Sequence, residues 1–493
     1  METIHFKTVD PVSQELLRDA LRKGIGLNWE RYEKQQPQDG FLRLGLSCPY
    51  GCMQGPCRID PFGRGAQSGI CGLDRDGMVA AFLLRLTLQG VLETMALRSG
   101  LADTGITWPA PLASKAAAVL GQTGSRLLST AEILESVLLL VRPSAATETL
   151  ICQTIRLGLL GVGLRMQAQP ESGTKGFSVG HGLLADDAIR IGVTGRIPRA
   201  TVDVLLKETA RQKNPNVRLL SLGDWIPAGE DFLPIACTSG ETETVLSSGK
   251  LNLLLAGDGT DPGILVLCGK INVPVVSSGK NTGAAEILNL ARNAFDRRIP
   301  STFAPDAALI GRGRVSLDAR ELETSLKEGS SIALLGGADT LLQSLGHLPV
   351  ELAKVLRGEN HAVASWGDAA LWMMKQDLPV SILDAQEGPL TAVRTLAEAG
   401  KLAVLKGVCF TGLRHGREFT LALGLAALGL RVLIATPLPL WGSEKVRTRL
   451  CENLAAAGGI LTHFDHPVRA DEILDWFLIR KIVRYGRTEG VEI

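Results

Sequence analysis

Aromatic side chains are scarce in this 493-residue chain, at 4% of positions with only three tyrosines. Single-stranded nucleic acids are held by basic grooves with bases stacked on aromatic rings; no basic cluster here is interleaved with aromatics, so nucleic-acid binding is argued against. Excess charge of either sign is also lacking. Fifty-two Lys and Arg against 51 Asp and Glu leave a net charge of +1, too little to draw the chain to nucleic acid or an acidic membrane. No G-x-x-x-x-G-K-[ST] phosphate loop occurs, and the pair Gly336-Gly337 lacks the spaced dinucleotide fingerprint. The first residues, METIHFKTVD, do not read as a secretion signal. The longest apolar run, Phe419 to Trp441, is broken by Arg431. These absences predict a cytoplasmic protein in a reducing compartment, with no transmembrane segment.

What is present is a cysteine loop. Four of the nine cysteines, Cys48, Cys52, Cys57 and Cys71, fall within 24 residues as C-x3-C-x4-C-x13-C, with Gly51, Gly55, Gly63, Gly65, Gly69 and Gly72 among them. Glycines let the backbone turn tightly enough for four thiolates to converge and for N–H groups to face sulfur. Zinc more often takes its thiolates from two separated C-x2-4-C pairs. A [4Fe-4S] cluster is therefore the first expectation, ahead of a zinc ion, a disulfide or free thiols. The seven histidines are dispersed; His463 and His466 could bind a metal but read more simply as turn residues.

Periodicity divides the chain. Asp10 and Pro11 predict a helix start. Asp74 to Arg98 is apolar on most sides and predicts a buried helix leading away from the cysteines, and Ala113 to Val141 and Ala145 to Met166 also carry helical spacing. Beyond the glycine-rich link Glu171 to Gly182, short apolar strands alternate with helices, including strands expected at Ile264 to Leu267 and Leu402 to Leu405. The fold class expected is α/β: a helical domain over residues 1–188, then α/β units over 189–327 and 328–493.

In open parallel sheets, ligands bind where strands end. Cys237 in LPIACTSGE, Asp368 in VASWGDAAL and Cys409 in AVLKGVCFTG are expected at or just after strand ends, and Lys445 in PLWGSEKVR opens a helix. Each also has an ordinary reading: buried cysteines behave as small hydrophobes, Asp368 could cap a helix, and Lys445 could be a solvated charge.

The run TVDPVSQELL...GLNWERYEKQQPQ, followed by GPCRID and GICG, resembles the amino-terminal region of the anaerobic nickel-iron carbon monoxide dehydrogenases, relatives of the hybrid-cluster proteins. The resemblance implies that the α/β units are two Rossmann-like parallel-sheet domains. It also implies that Cys48, Cys52, Cys57 and Cys71 hold a [4Fe-4S] relay cluster. Three residues separate the first two cysteines here, where the family has two. GVCFTGLRHGREF and WGSEK match segments carrying an active-cluster ligand and a catalytic lysine, placing those roles on Cys409 and Lys445; Cys237 matches another ligand position. Elsewhere the family's soft ligands are replaced by Ala338, Asp368, and Thr194 or Arg196. The next cysteine is missing near Asp258, for which Cys268 is a poor substitute, and the histidine relay has no counterpart in Leu86 to Arg98. Asp39 and Ser47 stand where an inter-subunit cluster would be bound. A nickel-iron-sulfur cluster needs many soft ligands, so the count argues against one.

Three functions remain open. The first is one-electron transfer through the relay cluster, in a homodimer whose apolar helix after Cys71 faces the second copy and which serves a redox protein partner. The second is an interaction scaffold stapled by the cluster. The third is an oxidoreductase with a changed cofactor, in which Cys237, Cys409, Asp368 and Lys445 bind a smaller metal centre or a substrate.

Overall fold

The computed structural model describes residues 6–34, 47–60, 63–97, 106–124, 128–141, 143, 145–167, 174–212, 216–279, 282–298, 301–316, 331–383, 388–436, 442–464 and 468–478. The first helix, α1 (Pro11–Arg22), begins as the sequence predicts. The Asp10 carboxylate accepts from the Val12 and Ser13 N–H groups at 2.9 and 3.4 Å, with Pro11 in the first turn, which satisfies amides that have no helical partner. After α2 (Asn28–Lys34) and the cysteine loop come α3 (Arg75–Leu97), α4 (Ala110–Gln122), α5 (Ala131–Val141) and α6 (Thr147–Met166). The run from Ala113 to Val141 is thus two helices, the first ended at Thr123 and Gly124, where φ is +80°, a backbone state that favours glycine.

Helices α3 and α6 are drawn into the fold by glycine. A Cβ on Gly90 would lie 2.3 Å from the Gly416 carbonyl oxygen, and one on Gly424 would lie 2.3 Å from that of Gly158. Both helices therefore cross the helix Gly416–Ala427 nearly backbone to backbone. Val79, Leu84, Leu150 and Leu159 consequently share one core with Phe410, Phe419, Leu423 and Ile434. The apolar helix after Cys71, expected to face a second copy, spends most of its apolar residues on this internal core; only part of it, such as Leu92, is exposed.

The strands are β1 (Thr174–Val179), β2 (Ile189–Thr194), β3 (Val217–Leu222), the short pair β4 (Pro227–Ala228) and β5 (Asp231–Phe232), β6 (Ile235–Cys237), β7 (Leu253–Ala256), β8 (Val275–Ser277), β9 (Gly311–Ser316), β10 (Ile332–Gly337), β11 (Ala362–Trp366), β12 (Ser381–Leu383), β13 (Leu405–Gly412), β14 (Arg431–Ile434) and β15 (Ile460–His463). Apart from the short pair they form one 13-stranded sheet in the order β15-β14-β13-β10-β11-β12-β9-β1-β6-β3-β2-β7-β8. The α/β fold is thus two parallel half-sheets joined at their centre by the antiparallel pair β1 and β9, Thr174 opposite Ser316 through Val179 opposite Gly311. The sheet begins at Thr174, inside the first expected domain, and the boundary expected near residue 327 lies outside the described residues.

Two expected strands are corrected. Ile264 to Leu267 lies in the helix Pro262–Lys270, which buries Ile264, Leu267 and Cys268; Asp261-Pro262 is a helix start, and spacing of three and four residues is a helical face. Leu402–Val404 is a 3-10 turn, and the strand runs from Leu405 to Gly412.

Candidate functional site

The cysteine loop is folded by its own backbone. The Cys48 N–H donates to the Cys57 carbonyl at 3.0 Å, with Ser47 and Arg58 bridged beside it, and the Gly55 N–H donates to the Cys52 carbonyl at 3.1 Å. Arg85 on α3 anchors the segment by donating to the Pro49 carbonyl at 2.9 Å. Sulfur faces amide. Gln54 N–H points at Cys52 Sγ and Ile70 N–H at Cys57 Sγ, each at 3.4 Å, and the Tyr50 N–H faces the Cys48 sulfur. Gly69 passes so close to Cys57 that a Cβ there would meet its Sγ at 3.4 Å.

Burial pushes the Cys48 thiol up, and the nearby Cys57, Cys71 and Cys52 sulfurs push it further, as neighbouring groups of like charge do. All four are free thiols, with Cys52 and Cys71 at the surface. Among the described residues, the ligand atoms that converge within 4.8 Å are those of Asp10, His181 and Glu241, not the loop sulfurs. Four thiolates on one zinc ion would stand about 3.8 Å apart. The four free thiols and their amide partners suit an iron-sulfur cubane.

The sheet edge is built differently. After β6, Thr238 and Glu241 form a capping box, and this turn meets the loops after β10 and β11. Asp368, at the start of the helix Gly367–Lys375, accepts from the Ser239 N–H at 3.0 Å, the Ser239 hydroxyl at 2.5 Å and the Asp339 N–H at 2.8 Å. Asp339 accepts from the Thr238 hydroxyl at 2.5 Å and from Trp372 Nε1 at 2.8 Å. Burial raises the Asp368 pKa to about 6 despite the Ser239 and Asp339 donors; Asp339 is pushed up well beyond the carboxylate range by burial and then by Asp368. At the end of β2, Thr194 and the Gly195 N–H donate to the half-buried Asp224 at 3.1 and 2.7 Å.

Beneath this lies a buried ion cluster. Lys375 Nζ stands 2.5 Å from Asp10 and 2.8 and 2.9 Å from the two Glu241 oxygens. His181 reaches Asp10 at 3.1 Å and Ser13 at 3.1 Å. Two of the three groups that could hold a metal ion, Asp10 and Glu241, therefore already hold an ammonium. Burial opposes the charges, yet the Glu241 and Asp10 carboxylates keep Lys375 above its ordinary value, and His181 and Lys375 hold Asp10 well below its own.

The residues singled out in the sequence are not gathered in one place. Cys237, fully buried at the end of β6, has Glu241, Lys375 and Asp368 as electrostatic neighbours, and burial pushes its thiol well up. Cys409 lies within β13 rather than after it. Its side chain sits in the apolar core with Leu335, Leu348, Met373 and Leu433, a different cluster from that of Cys237, and burial alone raises its thiol far above the usual range. Lys445 opens the helix Glu444–Ala455, is 65% exposed, and stands 3.9 Å from Asp76 on α3 rather than near Asp368. Cys268 is buried beside Glu243 with its thiol pushed up to about 11, chiefly by burial. His463 ends β15, and Asp39 and His466 lie outside the described residues. Sequence reasoning missed Asp339, Asp224, Glu241, Lys375, Asp10 and His181 as members of the sheet-edge network; the one available signal was the density of Asp, Glu, Ser and Thr just after strand ends.

A curated carbon monoxide dehydrogenase from Methanosarcina mazei is 51% identical over 89 residues, 18% of this chain and 14% of that protein. One from Rhodospirillum rubrum is 51% identical over 81 residues, 12% of its length. The matched segments thus span well under a fifth of either relative. Among solved structures, carbon monoxide dehydrogenase IV from Carboxydothermus hydrogenoformans superposes with a TM-score of 0.74 at 19% identity, covering 96% of this chain and 99% of that one. A nickel-free carbon monoxide dehydrogenase from Thermococcus sp. AM4 gives 0.76 at 19%, covering 97% and 99%. The chain shares the fold of these carbon monoxide dehydrogenases and, over one short segment, their sequence. No protein-family model matches it. The structural likeness carries the family fold, and the strong sequence identity is confined to a short segment.

Proposed function

We propose that this chain is a member of the carbon monoxide dehydrogenase family that carries single electrons through one [4Fe-4S] cluster held by Cys48, Cys52, Cys57 and Cys71. In this reading the sheet-edge pocket holds no nickel-iron-sulfur centre. The observation that supports it is the contrast between the two thiol settings. In the loop, three of the four sulfurs face backbone N–H groups and two reach the surface. At the sheet edge, Asp368 has both oxygens engaged by three donors, and Cys409 is shut in an apolar core. A bound cluster of this type takes up and releases one electron. The exposed Cys52 and Cys71 bring that electron within reach of a redox protein partner, and the reading keeps a cytoplasmic homodimer as its setting. Lys445, exposed and paired with Asp76, serves the surface between α3 and its own helix rather than a reaction.

Metal analysis of anaerobically purified protein, combined with a carbon monoxide oxidation assay using an artificial acceptor, tests this. The expected result is about four irons per chain, no stoichiometric nickel and no turnover, because four thiolates complete one such cluster. Stoichiometric nickel with activity would overturn it.

A further inference from the structure

Tyr50 stands in the three-residue interval between Cys48 and Cys52. Its side chain is 7% exposed, and its phenol oxygen is buried with no hydrogen-bond partner. A buried hydroxyl left unpaired costs about 1–3 kcal/mol, so an acceptor is called for. The protein side supplies apolar neighbours, the ring belonging to the core that contains Val79, Ala80 and Leu83. The thiol side supplies sulfur. Tyr50 lies two residues from both Cys48 and Cys52, and Cys48 and Cys71 are within electrostatic reach of its phenol. The segment is held in place by Arg85 on the Pro49 carbonyl and by the Cys48–Cys57 backbone bond.

We propose that the Tyr50 phenol donates a hydrogen bond to a sulfur of the cluster bound at the four cysteines and so raises its reduction potential. This rests on reading the loop as a [4Fe-4S] site. Reduction by one electron adds negative charge to the cluster, and a donor aimed at sulfur stabilises the reduced form more than the oxidised one. No proton moves in the step. Tyr50 acts as a positioning residue, through the cluster rather than on a substrate.

The test is a redox titration of anaerobically purified wild-type protein and Tyr50→Phe, with iron content and visible absorbance measured on both. The variant is expected to match wild type in iron and absorbance. It should be about tenfold harder to reduce at a given potential, a fall of ~59 mV for a one-electron couple. An iron-loaded variant with an unchanged midpoint overturns the proposal. Because the variant could fail to load, the wild-type chain is also grown with 3-fluorotyrosine, whose more acidic phenol is a stronger donor on a ring of nearly the same size. The midpoint should rise in that protein, and an unchanged midpoint overturns the proposal independently. Wild-type protein that binds no iron overturns instead the cluster reading beneath it, so the two failures are distinguishable.

Discussion

The cysteine loop and the sheet edge are the two places where this chain concentrates chemistry, and they are made in opposite ways. In the loop, hydrogen bonds join residues close in sequence, such as Gly55 to Cys52 and Ile70 to Cys57, and the side chains left over include four free thiols. At the sheet edge the bonds are long-range: Ser239 to Asp368, Thr238 to Asp339, and Lys375 to Asp10 and Glu241. The polar groups there satisfy one another. A site whose donors are unspent can take a ligand, whereas one whose donors are spent on each other braces the fold. The same strand-end positions that would serve a cofactor in a parallel sheet here tie the N-terminal helix, the first half-sheet and the second half-sheet together.

The most direct way to break the comparison is at the loop. Cys57 takes the Ile70 N–H on its sulfur, gives its carbonyl to Cys48, and packs against Gly69. Cys57→Ser is expected to abolish or degrade the cluster and loosen the loop, since few apolar side chains other than Ile59, Met78 and Leu73 back it and metal binding supplies folding energy in such segments. Iron content and visible absorbance check this, and a variant with full iron would remove Cys57 from the ligand set.

The sheet edge should answer to a different substitution. Lys375→Met removes the one ammonium from a buried site and leaves Asp10 and Glu241 facing each other without it. Breaking a buried pair from one side costs about 3–5 kcal/mol. Urea unfolding should show that loss while the iron content of the folded protein stays at the wild-type level. Equal loss of iron would mean that the two regions are not independent.

How much of this was readable in the sequence follows from the same contrast. The loop was legible because its four cysteines and its turns lie within 24 residues, so local spacing shapes it. The helix start at Asp10 was legible for the same reason, yet the bonds of Asp10 to His181 and Lys375 were not, because no local pattern encodes a partner over 160 residues away. The central join was also hidden. β9, with the sequence GRGRVS, lacks the apolar alternation of a strand, because a Cβ on Gly311 would lie 2.7 Å from the Met374 carbonyl oxygen and one on Gly313 would lie 2.8 Å from the Phe177 ring. Cys409 was misplaced for a simpler reason: β13 runs three residues past it, which turns a strand-end position into a mid-strand one buried in the core.

The smallest expected effect concerns pH, and it sharpens the claim that the sheet-edge acids serve structure. Asp368 has its pKa raised from 3.8 to about 6, chiefly by burial. A carboxyl whose folded value is raised holds its proton more tightly in the folded state. Its contribution to stability is therefore fully present below about pH 4 and is lost as pH rises through about 6. Asn at this position keeps an oxygen for the Ser239 N–H but has no proton to lose. The stability advantage of wild type over Asp368→Asn should accordingly shrink between pH 4 and pH 7, by on the order of 3 kcal/mol at most. Asp339, also pushed up by burial and by Asp368, accepts from Thr238 and Trp372. Urea unfolding of the two proteins at several pH values reads the difference directly. Parallel stability curves would show that the Asp368 carboxylate stays ionised throughout, sustained by its three donors against burial, and the sheet edge would then be a charged brace rather than a protonated one.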